Sequence, residues 1–301
     1  MARHVCHLVY ALTFAGALAC GEPETRTPLD LSQPGDTLLG FVKTRGSLDP
    51  EQEVVFYWTG FIYSSVQESS LPVTRSNKVL FKFEGYNITR FQKTAEGYQQ
   101  LSREASFYED PTTGEILECW NNPLNGRSVS VVHVWNDPVN NRFGEKDAPL
   151  LAHTEDGDRV VYSTDILLAY PSPLPVATYP DYSGGNLYQA AELFNFYVSR
   201  AALEDSRLDT VPADISWTRV GPYLPWMQMG SQPGQLIYQT HGRKLMGGWA
   251  ELPQHLRDYV TRSFPEYQHA PTEWPAGQGN ATSWRYFKQL VDSGQYKPSC
   301  P

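Results

Sequence analysis

The sequence predicts a mainly β domain of the α+β class: an antiparallel curled sheet or barrel-like meander, finished by two C-terminal helices. Three observations predict it. Runs rich in β-branched and aromatic residues recur, "EVVFYWTGFIYSSV" and "KVLFKFEGYNITRFQKT" being the longest. Turn chemistry separates such runs at short intervals, in "YEDPTTGE", "NNPLNGRS" and "EDGDRV". The strand–helix alternation that a doubly wound fold requires is missing.

In order along the chain, "LLGFVKTRGSL" reads as a first strand-like piece closed by "SLDPEQ". In Glu53 to Val66, Val55, Tyr57, Thr59, Phe61 and Tyr63 share one face; Val54, Phe56, Trp58, Gly60 and Ile62 share the other. Both faces are apolar, so this strand is expected to be covered on both sides. In the next strand Val79, Phe81, Phe83 and Gly85 alternate with Lys78, Leu80, Lys82 and Glu84, one face in and one out. "YQQLSREASF", "EILECW", "SVSVVHVW", "PLLAHT" and "VVYSTDILLAY" continue the meander. A proline-rich crossing, "YPSPLPVATYPDYSGG", precedes Asn186–Asp205, which fits helix and strand periodicity and is read as strand from its β context. "LPQHLRDYVTRSF" and "TSWRYFKQLVDSG" supply the two late helices, the second opening on a Thr/Ser cap and stopping at Gly294.

The 301 residues, 41% hydrophobic and 19% charged, suffice for a real core. A formal net charge of -9 argues against a nucleic-acid partner, which needs a basic face. Residues 1–19 read as an export signal: a basic start, a short apolar run, then "ALA" before Cys20. Cleavage after Ala19 yields a soluble exported protein, or a lipoprotein acylated on Cys20; residues 20–36 look like a polar tether and favour the lipoprotein. Residues 37–301 form one β-rich domain. The expected location is periplasmic, with membrane contact only through the Cys20 lipid. Cys119 and Cys300 either pair or stay as thiols, a buried Cys119 thiol being at least as well supported as a bridge. Nothing in the sequence sets the oligomeric state.

No hydrolase nucleophile elbow, zinc-protease helix, phosphate loop or dinucleotide fingerprint is present, and no histidines stand at metal-ligand spacing. Neither metal nor cofactor is expected. "EDGD" suits a hairpin turn better than calcium. Three stretches carry candidate chemistry. Val129, Val131, His133 and Trp135 would share a strand face, placing His133 as an acid/base oriented by Asp137, or as a core histidine bonded to backbone. Arg103 and Glu104 are adjacent, so one of them points inward; Arg103 would clamp an anion or carbonyl. Trp217 and Arg219 share a face, and Tyr223, Trp226, Met227 and Met229 lie in a proline-stiffened loop that reads as a lid on an apolar ligand or as a plug.

The motifs "LSREASFYEDPTTGEILECWNNPLNG", "VVHVWNDPVN", "SWTRVGPYLPWMQMGSQPGQLIY" and "TSWRYFK" resemble an uncharacterised family of bacteria and fungi, the domain of unknown function 1838, from about Leu31 to Lys288. The resemblance implies one family-sized domain, often exported, and no activity. Two functional expectations involve a pocket. In one, a small apolar or aromatic molecule is bound among Trp58, Trp135, Trp217, Tyr223, Trp226, Met227 and Met229. In the other, a cofactor-independent isomerase, lyase or hydrolase uses His133 with Asp137, Arg103 or Arg219 for developing negative charge, and Tyr57 or Tyr108 as proton donor. A surface interaction module without a pocket is the third.

Overall fold

The computed structural model describes residues 28–65, 78–146 and 152–300. The export signal, Cys20 and the start of the tether lie outside them. Twelve strands are described: β1 (Val54–Ser65), β2 (Lys78–Thr94), β3 (Gly97–Glu109), β4 (Cys119–Asn121), β5 (Ser128–Ser130), β6 (Val134–Asn136), β7 (Asn141–Gly144), β8 (Ala152–Asp156), β9 (Arg159–Pro171), β10 (Leu187–Ser199), β11 (Ala213–Gly221) and β12 (Gln235–Leu245). Four helices join them: α1 (Pro34–Arg45), α2 (Arg200–Glu204), α3 (Gln254–Ser263) and α4 (Ser283–Asp292).

Ten strands form one antiparallel sheet in the order β6-β3-β2-β1-β12-β11-β10-β9-β8, with β7 also on the free edge of β3; β4 and β5 form a separate hairpin. Two meanders, β1 to β3 and β8 to β12, are joined where β12 returns to β1. Among the described residues no pairing links the two outer edges, so the barrel does not close.

The sheet nevertheless curls. β3 and β10 are five strand spacings apart, about 24 Å if flat. Yet Glu104 on β3 lies within electrostatic reach of Glu192 on β10. Two clusters fill the concave face. At one end α1 inserts Phe41 against Phe143, Tyr162 and Phe196. At the other, the loop after β11 inserts Trp226 and Met227 against Phe81, Tyr108 and α4. On the convex face α3 lays Leu256 and Val260 over Val55, Tyr86 and Phe107.

Sequence and structure part company in definite places. Leu38–Arg45, expected as strand, is the greater part of α1: Pro34 opens the helix, and its apolar residues plug the curl. Leu31, within the stretch read as tether, is buried. β1 is covered on both faces only near its start, since Phe61 is 41% exposed. The run expected as one strand through His133 breaks into β5 and β6, so Val129 and Trp135 fall into different cores. Cys119 is surface-exposed and bonded to Cys300, not a buried thiol. Asn186–Asp205 is strand to Ser199 and then the short α2; the two late helices lie where expected.

Candidate functional site

Register selects the residues that face into the curl. Trp58 lies opposite Gly85 and Gly242, and Gly85 opposite Ser106. Two residues along, Phe56 lies opposite Asn87, Asn87 opposite Glu104, and Glu104 opposite Asn136. On the other wing Trp217 pairs with Phe194, and Arg219 with Glu192. Arg45, from the last turn of α1, enters the same face. Its Nη2 donates to Asn87 Oδ1 at 3.0 Å, and its guanidinium lies over Phe56 and Phe196.

A belt of polar groups thus runs between the two aromatic plugs. Arg45, Glu104, Asn136, Glu192 and Phe194 are only partly buried although all face the concave side, so the curl is not sealed over them. Burial pushes the Glu104 carboxyl up to about 7; the Glu192 charge adds to this, while Asn136, Arg219 and Arg45 oppose it. Burial also raises Glu192, against the pull of Arg219 and Trp217. Arg219 holds Glu192 at 3.3 Å through Nε, donates to Tyr188 Oη at 2.6 Å, and stacks over Tyr238 and Trp284. Burial lowers Arg45 to about 10. Lys244, by contrast, is fully engaged. Its Nζ donates to the Lys43 and Gly46 carbonyls and to Thr210 Oγ1, which makes it a structural latch for α1.

The chemically informative atoms are the unmatched ones. Arg45 Nη1, Trp58 Nε1, Ser106 Oγ, Trp217 Nε1 and Arg219 Nη1 are buried without a hydrogen-bond partner in the protein. Trp217 Nε1 lies beside Glu192 without closing a bond. Four of the five are donors only, and each buried donor left unpaired costs about 1–3 kcal/mol. Gly85 makes room for two of them: a Cβ there would lie 2.4 Å from Ser106 Oγ and 2.7 Å from Trp58 Nε1. A surface cleft of about 680 Å³ adjoins this belt, and its wall includes Tyr188 and Trp284, two of the three rings around Arg219.

The residues singled out from sequence divide into three places. Trp58, Tyr108, Trp217 and Arg219 do meet on the concave face. Tyr223, Trp226, Met227 and Met229 are all buried, and Asn122 and Asn125 fasten the loop by donating to the Met227 carbonyl, which is the plug arrangement and not the lid. The others are elsewhere. His133 is 4% exposed among Phe107, Tyr108 and Tyr259; its Nδ1 accepts from the Tyr108 backbone N–H at 3.2 Å, and burial drives it down to about 3. Arg103 faces outward: Nε holds Asp137 at 2.8 Å and Nη1 caps the Glu266 and His269 carbonyls. Trp135 packs under Phe264 and Tyr267 on the convex side. Tyr57, also convex, donates to Glu84 Oε1 at 2.9 Å. His133, Arg103 and Arg219 therefore do not converge.

Arg45, Glu104, Ser106 and Glu192 are among the residues of this face that escaped the sequence reading. For Glu104 the signal was present, since one of Arg103 and Glu104 had to face inward; the register chose the glutamate. Glu192 also stood in an alternating apolar row with Phe194, Phe196 and Val198. Arg45 gave no signal while its segment read as strand. Among the described residues, one group of three metal-ligating side chains comes together, Glu84, Glu109 and His255, with ligating atoms within 4.8 Å of one another, on the convex face.

The chain belongs to the family described as "Protein of unknown function (DUF1838)", whose model matches residues 51–291 and so includes both faces of the sheet and all but the first helix. No curated protein matches it.

Proposed function

We propose that the concave recess binds a small aromatic molecule that carries hydrogen-bond acceptors, such as a phenolic or aromatic carbonyl compound. One observation carries the reading: buried donors without protein partners, on Arg45, Trp58, Trp217 and Arg219, gather on one face beside stackable rings. Trp217 and Phe194 lie nearly parallel, 4° apart with centroids at 5.9 Å, and offer a flat apolar wall. Acceptor oxygens on the ligand would satisfy the donors, and the two arginines favour partial negative charge there. Saturable quenching of tryptophan fluorescence by a panel of hydroxybenzoates, benzaldehydes and naphthols tests it. Binding by at least one member, weakened tenfold or more in Arg219→Gln, is expected. A panel without effect, together with no small mass released from the native protein in mass spectrometry, would sink the proposal.

A second reading, an acid/base enzyme on the same recess, is favoured by one feature: a carboxyl poised at about 7 is suited to proton transfer near neutral pH. Glu104, not His133, would then carry the proton, with Arg45 or Arg219 stabilising an oxyanion. Turnover of a panel member that survives in His133→Phe and falls roughly 10²-fold in Glu104→Gln is its signature. We also propose export and lipid attachment at Cys20. The Cys119–Cys300 bridge supports an oxidising compartment, and a diacylglyceryl mass on Cys20 in the membrane fraction is the expected result.

A further inference from the structure

On the convex face, β2 and β3 set Lys82, Glu84 and Glu109 side by side, and the first turns of α3 bring His255 over them. The two carboxylates are divided in the same way. Glu84 Oε1 takes Tyr57 Oη at 2.9 Å, Thr59 Oγ1 at 3.2 Å and Lys82 Nζ at 2.9 Å; Glu109 Oε2 takes Lys82 Nζ at 2.7 Å. Each glutamate thus commits one oxygen to the protein and turns the other toward His255. Glu84 Oε2 lies 3.2 Å from His255 Nε2, and Glu109 Oε1 lies 3.4 Å from it.

These side chains are deeply placed. The Glu84 side chain is 7% exposed and that of Glu109 is 0% exposed. Glu84 Oε2 has no hydrogen-bond partner at all. A buried carboxylate oxygen aimed at an imidazole nitrogen, without a donor of its own, is expensive unless a cation serves it. The spacing also fits. Neighbouring ligand atoms about 2.0–2.1 Å from one ion stand about 2.8–3.0 Å apart in octahedral geometry and about 3.3–3.4 Å apart in tetrahedral geometry, and the two contacts to His255, 3.2 and 3.4 Å, lie close to the tetrahedral value. Lys82 then takes the part of an outer partner: it holds the far oxygens and orients the near ones, as groups behind metal ligands do. His255 is 46% exposed, so the convex side leaves coordination positions open to solvent.

We propose that Glu84 Oε2, Glu109 Oε1 and His255 Nε2 form a binding site for a divalent first-row metal ion, zinc foremost. Two carboxylate oxygens and one imidazole nitrogen suit Zn²⁺ or Mn²⁺ better than Ca²⁺, which takes six or more oxygens. The site is independent of the concave recess, from which the sheet itself separates it.

Isothermal titration of the chelator-treated full chain with ZnCl₂, and separately with MnCl₂, tests the assignment. One equivalent of Zn²⁺ is expected to bind and to be retained through desalting. His255→Ala, at a half-exposed position, should leave the fold intact by circular dichroism and weaken zinc at least 100-fold. Lys82→Gln should weaken it about 10- to 100-fold, the usual cost of removing a group behind the ligands. Glu109→Gln, which keeps shape and removes charge, guards against reading misfolding as lost affinity. Absence of binding by both metals in the wild type, or zinc affinity unchanged in a folded His255→Ala protein, would overturn the proposal.

Discussion

Two polar clusters on opposite faces of the sheet carry nearly the same charges, Glu104, Glu192, Arg45 and Arg219 on the concave side and Glu84, Glu109, Lys82 and His255 on the convex side, yet they leave different kinds of atom unmatched. On the concave side the unpaired atoms are mainly donors, on Arg45, Trp58, Trp217 and Arg219. In the convex cluster of Glu84, Glu109, Lys82 and His255 the unpaired atom is an acceptor, Glu84 Oε2. The difference comes from what stands opposite. Concave residues look across the curl toward another wing of the sheet and meet it at a recess. Convex residues meet their own sheet neighbours and α3, which supply Tyr57, Thr59 and Lys82 as donors. Counting charges would make the sites equivalent; counting unmatched atoms by type assigns one to an acceptor-bearing organic molecule and the other to a cation.

The strongest way to break the contrast is on the convex side. Lys82→Met leaves Glu109 buried beside Glu84 without its cation. A loss of about 3 kcal/mol is expected in urea unfolding, most of it restored by adding Glu109→Gln. Stability unchanged in the single variant would mean that the carboxylates are neutral without Lys82.

On the concave side the effect has the reverse sign. The Glu104 carboxyl titrates from 4.5 up to about 7 on folding, so between those values the folded chain holds the extra proton. Stability from this group is present below pH 4.5 and is lost as pH rises toward 7. Glu104→Gln should remove that slope and stabilise the protein by about 2 kcal/mol at pH 8, read as unfolding free energy at several pH values. A parallel loss of probe binding would tie the strained carboxyl to the recess.

The smallest effect comes from a third position. His133 is neutral in the folded protein down to about 3, whereas the unfolded chain takes a proton near 6.5. Below pH 6.5 it therefore weakens the fold as pH falls. His133→Phe fits the aromatic shell but leaves the Tyr108 N–H without its acceptor. It should cost about 1 kcal/mol at pH 7, flatten the acid slope, and leave aromatic binding in the recess untouched.

The sheet was legible because alternation and turn chemistry are local: "EVVFYWTGFIYSSV" and "EDGDRV" carry their conformations within a few residues. α1 was not, because Leu38, Phe41 and Val42 are as apolar as a strand and declare a helix only by what they plug. The candidate site was half legible. Trp58, Trp217 and Arg219 stood out as aromatic or charged residues on strands. Glu104 and Glu192 could not be brought together, since five strand spacings separate them and only the curl removes that distance. His133 attracted attention because of its chemistry; its environment, set by the break between β5 and β6, is what buries it among aromatic rings.

The pairing of β1 with β12 bears on how the molecule is made. Val55 meets Leu245 and Ser65 meets Gln235 at the centre of the sheet, so its middle seam joins the two ends of the domain. Contacts so distant in sequence must wait for most of the chain, and folding dominated by them is slow. During synthesis β1 emerges early, with one edge open until β12 arrives, and an open apolar edge invites pairing with another chain. A chain interrupted before β12 would therefore lack its central seam, with β1 and β11 both left as sticky edges.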